Sequence, residues 1–344
     1  AITLLISIGS ASRFSLSLGE GDADRAAQAV GNALAMMVLF GILYTLCIEI
    51  FLVALLNAFG ATQDVLPYAI EYTRITAVGM PLLIITNGMS NLARADGSPN
   101  YSMMCMLIGA IINTILDPLF IFKFHMGVRG AAFATVIGQF FSFLMALYYV
   151  KKFTHIRLKK QHFILKPQVC LNIASLGMSN CLNQVAITFV QIVMNNSMTY
   201  YGAKTIYGSE IPLAASGIVM KTNGILLSVI IGLSQGSQPI IGFNYGAKKY
   251  DRIKEGHWKI PICSGLITLG CGLFFIMIHK PLIRFFSSDE MVLMYASRHV
   301  VVMLLSQWFY AIFNCIISIV NGTGRVRYTT IVNILMLWAV RIPS

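Results

Sequence analysis

The stretch INTILDPLFIF, residues 112–122, sets a carboxylate, Asp117, and a carboxamide, Asn113, in a run apolar enough to sit in lipid. Positions i and i+4 of a helix share one face about a turn apart, so the two side chains point at the same neighbour. Pro118 follows the acid directly. A proline within a helix removes one N–H, frees the carbonyl four residues back and bends the axis. Ionisable groups in hydrocarbon are costly and usually mark ion or proton handling. The chemistry of this pattern is reversible neutralisation of Asp117 by a cation or a proton, with Pro118 as the hinge that turns it into movement.

Other polar residues within apolar runs are secondary candidates for lining a cavity. Lys221, beside Asn223, either faces a cavity or snorkels to an interface. Gln184, Asn195 and Asn196 more often hydrogen-bond between helices than bind ligands. Glu49, within LYTLCIEIFLVALL, reads equally as headgroup-facing, paired to another helix, or functional. The histidines and cysteines show no HExxH or CxxC spacing, and no nucleophile elbow or phosphate-binding glycine loop is present. No cofactor and no structural metal is expected, and an integral membrane enzyme lacks support.

The elements that must position these groups follow from composition. The chain has 344 residues, 57% hydrophobic and 11% charged, with a mean hydropathy of +0.74. That is too apolar for a soluble domain of this length. Apolar runs fall near 1–18, 27–56, 65–92, 101–123, 130–150, 172–201, 212–236, 257–279, 290–320 and 327–344. Complete runs reach the roughly 20 residues a helix needs to cross hydrocarbon, and no ten-residue alternation points to a barrel. The expected fold class is an all-α polytopic membrane protein. Both ends fall inside runs, which we read as a piece of a longer chain.

The formal charge of +12 belongs to topology and not to nucleic acid. One alternate set of connections carries Arg25, Arg94, six cations in 151–166, five in 248–259, and Arg325 with Arg327. The other set carries Lys123, Arg129, Lys204, Lys280 and Arg284. The rich side is expected to be cytoplasmic, at the cell membrane.

An offset of 227 residues superposes two halves without gaps. GSASRFSLSLGEGDADR (9–25) lies over GSQPIIGFNYGAKKYDR (236–252), FGATQDVLPYA (59–69) over FSSDEMVLMYA (286–296), and Gly97 and Tyr101 over Gly324 and Tyr328. Basic connections superpose on basic ones, so the repeats are parallel. The expectation is two six-helix lobes, twelve helices when intact, about ten present here with the first and last partial. Residues 1–150 form the N-lobe, 151–170 a basic cytoplasmic linker and 171–344 the C-lobe. Under the offset Asp117 maps to Ser344 and Asn113 to Val340, so one lobe alone carries the acid and its partner.

GLSQGSQPIIGFNYGAKKYDR, NTILDPLFIF with GVRGAAFATVIGQ, and ARADGSPNY together resemble the multidrug and toxic compound extrusion (MATE) family, within it the MepA/DinF-like bacterial branch. The resemblance implies a secondary antiporter, working as a monomer, that exports cationic or amphipathic compounds against H⁺ or Na⁺ by alternating access. It also implies a cation site built from an acid on a first helix outside this chain, Asn113, Asp117 and Thr135, with Na⁺ or H⁺ at Asp117. Membrane lipid and small molecules are the expected partners, and nucleic acid is not. Thr135 follows a short exit loop, so its helix returns antiparallel beside the first, and an oxygen trio from two helices suits a hard cation. The rival reading is a lipid-linked oligosaccharide flippase of the same superfamily. It calls for several cavity cations, and Lys221 is read as the one cation well inside a run.

Overall fold

A computed structural model describes residues 1–58, 66–202, 204, 210–286, 290–324, 328 and 331. Among them the regular structure is helical: α1 (Ile2–Gly19), α2 (Ala23–Ala58), α3 (Leu66–Ala95), α4 (Pro99–Pro118), α5 (Gly127–Tyr149), α6 (Pro167–Gly202), α7 (Glu210–Gly246), α8 (Tyr250–Met277), α9 (His279–Phe286) and α10 (Glu290–Gly322). A π-helical turn, Leu119–Lys123, extends α4, and a 3-10 turn, Lys160–Phe163, lies between α5 and α6. Among the described residues eight helices are long and apolar enough to span a bilayer, and α10, bent by 43° between Leu304 and Gln307, makes a ninth if it is taken as one span. Hydrocarbon offers no hydrogen bonds to a bare backbone, and helices satisfy theirs internally. Nine of the expected runs coincide with helices; the tenth, 327–344, lies almost wholly outside the described residues.

The chain divides within α6 into two compact units, 1–181 and 182–344. In the first, α1, α2 and α3 pack on one another, α3 packs along α5, and α5 along α4. Phe14, Met37, Met89, Leu92 and Ile173 are fully buried in its core. Small residues set the close crossings. A Cβ on Gly9 would overlap the Ile173 carbonyl oxygen, and one on Gly177 the Leu5 carbonyl oxygen, so α1 and the first half of α6 touch backbone to backbone. Pro81 lies inside α3 and provides no N–H for Ala77 four residues earlier. The hydroxyl of Thr45 in α2 donates to that fully buried carbonyl at 2.9 Å, so the missing bond is replaced across the helix pair.

The second unit repeats the arrangement, with α7, α8 and α10 packed on one another around Leu226, Ile283 and Val300. The 227-residue offset holds in the backbone as well as in the sequence. It carries the end of α1 (Gly19) onto the end of α7 (Gly246), the start of α2 (Ala23) onto that of α8 (Tyr250), and the end of α3 (Ala95) onto that of α10 (Gly322). The kink in α2 at Phe51 (φ −103°, ψ 15°) corresponds to Ile278 (φ −102°, ψ 11°), where α8 gives way to α9. Left-handed turn residues match too: Gly21 (φ 80°) with Lys248 (φ 58°), and Gly97 (φ 87°) with Gly324 (φ 75°). Lys248 holds a conformation that costs an L-residue about 1 kcal/mol, and the repeat keeps it there.

The basic segment after α5 is tied to the first unit. Asp96, buried beyond the end of α3, accepts hydrogen bonds from the Tyr149 hydroxyl (2.8 Å) and the Thr154 N–H (2.8 Å), and its other oxygen meets His155 Nδ1 at 2.9 Å. Phe153 packs between Phe14 and Tyr149, with ring centroids 5.9 and 5.1 Å away. Sequence reasoning passed over Asp96 because it reads as a turn residue in ARADGSPNY.

Two stability outcomes follow from these contacts. Asp96→Ala strands three groups at once and costs roughly 2–4 kcal/mol, with Asp96→Asn in between, read as ordered falls in the thermal midpoint of the purified full-length protein. Thr45→Val leaves the Ala77 carbonyl unpaired and costs about 1–2 kcal/mol by the same measurement. Thr45→Ser, which keeps the hydroxyl, loses less.

Candidate cation site

Helices α4 and α5 approach closely because neither carries a side chain at the crossing. A Cβ on Gly138 would sit 2.6 Å from the Gly109 carbonyl oxygen, and one on Gly109 would sit 2.8 Å from that of Gly138. Next to this contact Asn113 and Asp117 of α4 face Thr135 of α5. The Asn113 Nδ2 donates to Asp117 Oδ1 at 3.2 Å and to Thr135 Oγ1 at 3.4 Å, and Thr135 Oγ1 donates to the Ala131 carbonyl at 2.9 Å. All three side chains are half-buried. The structure therefore brings together the three residues that the sequence singles out. One amide hydrogen-bond donor lies between two oxygens, and both of its bonds are at the long end of the normal range.

Pro118 is exposed, and it does not break the helix as a bend would. Its own dihedrals are helical (φ −64°, ψ −32°), and the chain continues into the π turn, where the Phe124 N–H donates to the Leu119 carbonyl at 3.1 Å. The helix changes pitch beyond the proline, and the span runs without interruption from Pro99 to Lys123. The carbonyl that loses its N–H partner is that of Thr114, one turn before Pro118.

Among the described residues three acids lie in the half of the first unit opposite the basic connections, and their partners differ. Glu49 of α2 pairs with Arg74 of α3 at 3.5 Å, and Glu71 of α3 pairs with Arg129 in the first turn of α5. Asp117 has no basic partner among the described residues; its hydrogen bond comes from the Asn113 amide. Glu49 is therefore a helix-paired acid. Glu71 and Arg74 were missed because a single apolar run, 65–92, absorbed them, although their i, i+3 spacing was visible. Arg74 also corrects the reading of Lys221 as the one cation well inside a run.

The secondary candidates are spread over the second unit. Lys221 is exposed on α7, and Asn223 is 8% exposed with its Oδ1 unpaired among the described residues. Gln184 is half-buried on α6, where its backbone carbonyl accepts the Thr188 hydroxyl at 2.9 Å. The side chain of Asn195 lies outside the described residues. A cavity of about 490 Å³ opens at the basic end of this unit, lined by Tyr245, Tyr250, Lys254, His257, Thr323 and Tyr328 among others, and none of the secondary candidates reaches it.

The chain is similar to known proteins over most of its length. The chain is 23% identical to the probable multidrug resistance protein YoeA of Bacillus subtilis, over 99% of this chain and 74% of YoeA. It is 27% identical to the multidrug export protein MepA of Staphylococcus aureus, over 89% of this chain and 65% of MepA, so it spans just under two thirds of that relative. Its fold matches a multidrug resistance MATE family transporter of the MOP superfamily, solved in an outward-facing conformation, with a TM-score of 0.88 and 20% identity over 99% of this chain and 75% of that one. A family model described as MatE matches residues 1–119 and 179–344, and the chain belongs to that family.

Proposed function

We propose that the chain is the greater part of a secondary active antiporter that exports cationic and amphipathic drugs and other xenobiotics in exchange for H⁺ or Na⁺. In this reading two lobes, 1–150 and 171–344, alternate access across the cell membrane, with 151–170 as the connection on the cytoplasmic side. The protein works as a monomer without a cofactor. The observation that carries the reading is the Asn113–Asp117–Thr135 constellation, whose acid has no basic partner among the described residues and whose Asn–Asp pair is replaced by Val340 and Ser344 in the second copy. The names of YoeA and MepA support the substrate class.

The geometry suggests how a coupling ion acts. With Nδ2 turned inward, the Asn113 amide donates to both oxygens and holds α4 to α5. A half-turn of the amide presents Oδ1 instead, and three oxygens then converge for Na⁺. A proton on Asp117 acts differently: it makes the acid a donor and removes the charge that hydrocarbon penalises. Either event changes the Asn113 contacts between α4 and α5, beside the Gly109–Gly138 crossing. That change reshapes the lobe and displaces drug.

Ethidium efflux by the full-length protein in vesicles tests this. Asp117→Asn lowers gradient-driven efflux by at least about tenfold, the order expected when about 1.4 kcal/mol or more of coupling is lost, while membrane insertion is unchanged. Unimpaired efflux in that variant overturns the assignment. Asn113→Ala and Thr135→Ala, each removing one neutral ligand, give smaller losses of severalfold. Imposing a pH gradient alone and a sodium gradient alone identifies the ion. If Na⁺ is the driver, Thr135→Ala raises the half-saturating sodium concentration; if H⁺ is, sodium has no effect in any variant.

A further inference from the structure

The segment between α5 and α6 holds a surface that the transport reading leaves unused. Within the 3-10 turn the His162 side chain points inward and is 2% exposed. Its Nδ1 accepts the Lys159 N–H at 3.1 Å, so the ring proton lies on Nε2, which donates to Asp24 Oδ1 at 3.2 Å. Asn32, fully buried in α2, donates from Nδ2 to the His162 carbonyl at 3.0 Å and accepts the Lys166 N–H on Oδ1 at 2.7 Å. Gly31 has no room for a Cβ against the same His162 carbonyl. Both ends of the loop are thus pinned to α2.

Pinning decides which way the next three residues face. Phe163, Ile164 and Leu165 are 39%, 65% and 43% exposed, immediately before α6. Lys159, Lys160 and Lys166 flank them and are exposed, and residues 151–166 contain six cations and no acid. Three consecutive apolar side chains held outward are unfavourable in water, at about 25 cal/mol per Å². Next to lysines and at a membrane-entry point they match an interfacial anchor, with apolar groups among the acyl chains and ammonium groups at the phosphates.

We propose that Phe163–Ile164–Leu165 inserts at the interface of the leaflet on the basic side, and that Lys159, Lys160 and Lys166 bind the phosphate groups of anionic phospholipids there. Charge complementarity selects the anionic headgroup, because the two acids seen in contact with the segment are already engaged, Asp24 by His162 and Gln28 and Asp96 by Tyr149, Thr154 and His155. The inference rests on the membrane-spanning reading of the helices and is independent of what is transported.

Lipid contact is measured with Phe163→Trp in the full-length protein, reconstituted in phosphatidylcholine vesicles that contain an equal fraction of chain-brominated phosphatidylglycerol or chain-brominated phosphatidylcholine. The unsubstituted protein supplies the background from Trp258, Trp308 and Trp338. The added fluorescence is expected to be quenched by both lipids, at a phosphatidylglycerol fraction at least about fivefold lower, the preference one lysine near an anionic surface confers. The triple change Lys159→Gln, Lys160→Gln and Lys166→Gln abolishes the preference, and so does 0.5 M NaCl on the unaltered lysines, which decides the matter if the triple variant does not fold. Absence of quenching, or equal quenching by the two lipids, overturns the proposal. Loss of the preference on adding inorganic phosphate at constant ionic strength also overturns it, since the site would then take a free phosphate anion.

Discussion

Every backbone polar group within the bilayer must find its partner inside the protein, and the features that matter here arise where a helix cannot meet that demand alone. At Pro81 the lost bond is replaced from outside the helix by the Thr45 hydroxyl on the Ala77 carbonyl. That contact ties α2 to α3. At Pro118 the carbonyl without its helical partner is that of Thr114, and beyond the proline the chain runs on into a π turn, Leu119–Lys123, that begins two residues after Asp117. The same residue type thus meets a hydroxyl on the next helix in one place and is followed by a change of helical pitch in the other.

Charge obeys a parallel rule. An acid within a span persists when something compensates it, and an arginine on the next helix is the usual compensation. Glu49–Arg74 and Glu71–Arg129 are of that kind, and both acids then serve to fix helix spacing. Asp117 is held by a neutral amide through a long hydrogen bond, which compensates a full charge poorly. This contrast, more than its position in an apolar run, separates Asp117 from the other two.

The parts of this structure legible in the sequence are those encoded locally or by repetition. Run lengths located nine helices, and the offset of 227 forecast coincidences that backbone angles then displayed, down to the kink shared by Phe51 and Ile278. Asn113, Asp117 and Thr135 were legible because i, i+4 spacing and a short antiparallel return bring them together whatever surrounds them. Asp96 was not legible: its partners lie more than fifty residues away on α5 and the basic segment, and no local pattern announces them. Likewise, Glu71 and Arg74 vanish in a hydropathy average over 65–92, since two charged residues are diluted by the apolar majority of that run. The turn at His162 reads as a run of charge, and only Asn32 and Asp24, some 130 residues earlier, reveal which way its apolar residues face.

The two units also show how a duplicated frame takes on different tasks. Ala26, Ala27 and Val30 of α2 are small and buried in the first unit, where they form part of the surface against which Phe153, Ile156 and Leu158 of the basic segment pack. Their equivalents in α8 are Ile253, Lys254 and His257, which line an open cavity in the second unit. The acid that clips the basic segment, Asp96, is matched by Thr323, which carries no charge to hold a histidine. Turn glycines and helix ends are retained between the copies because a change there would alter the path of the chain. Side chains facing the connections diverge, with Ala27 and Asp96 giving way to Lys254 and Thr323. Asn113 and Asp117 diverge too: the offset sets Val340 and Ser344 at their places in the second copy, where a second acid would add the penalty of another charge in hydrocarbon.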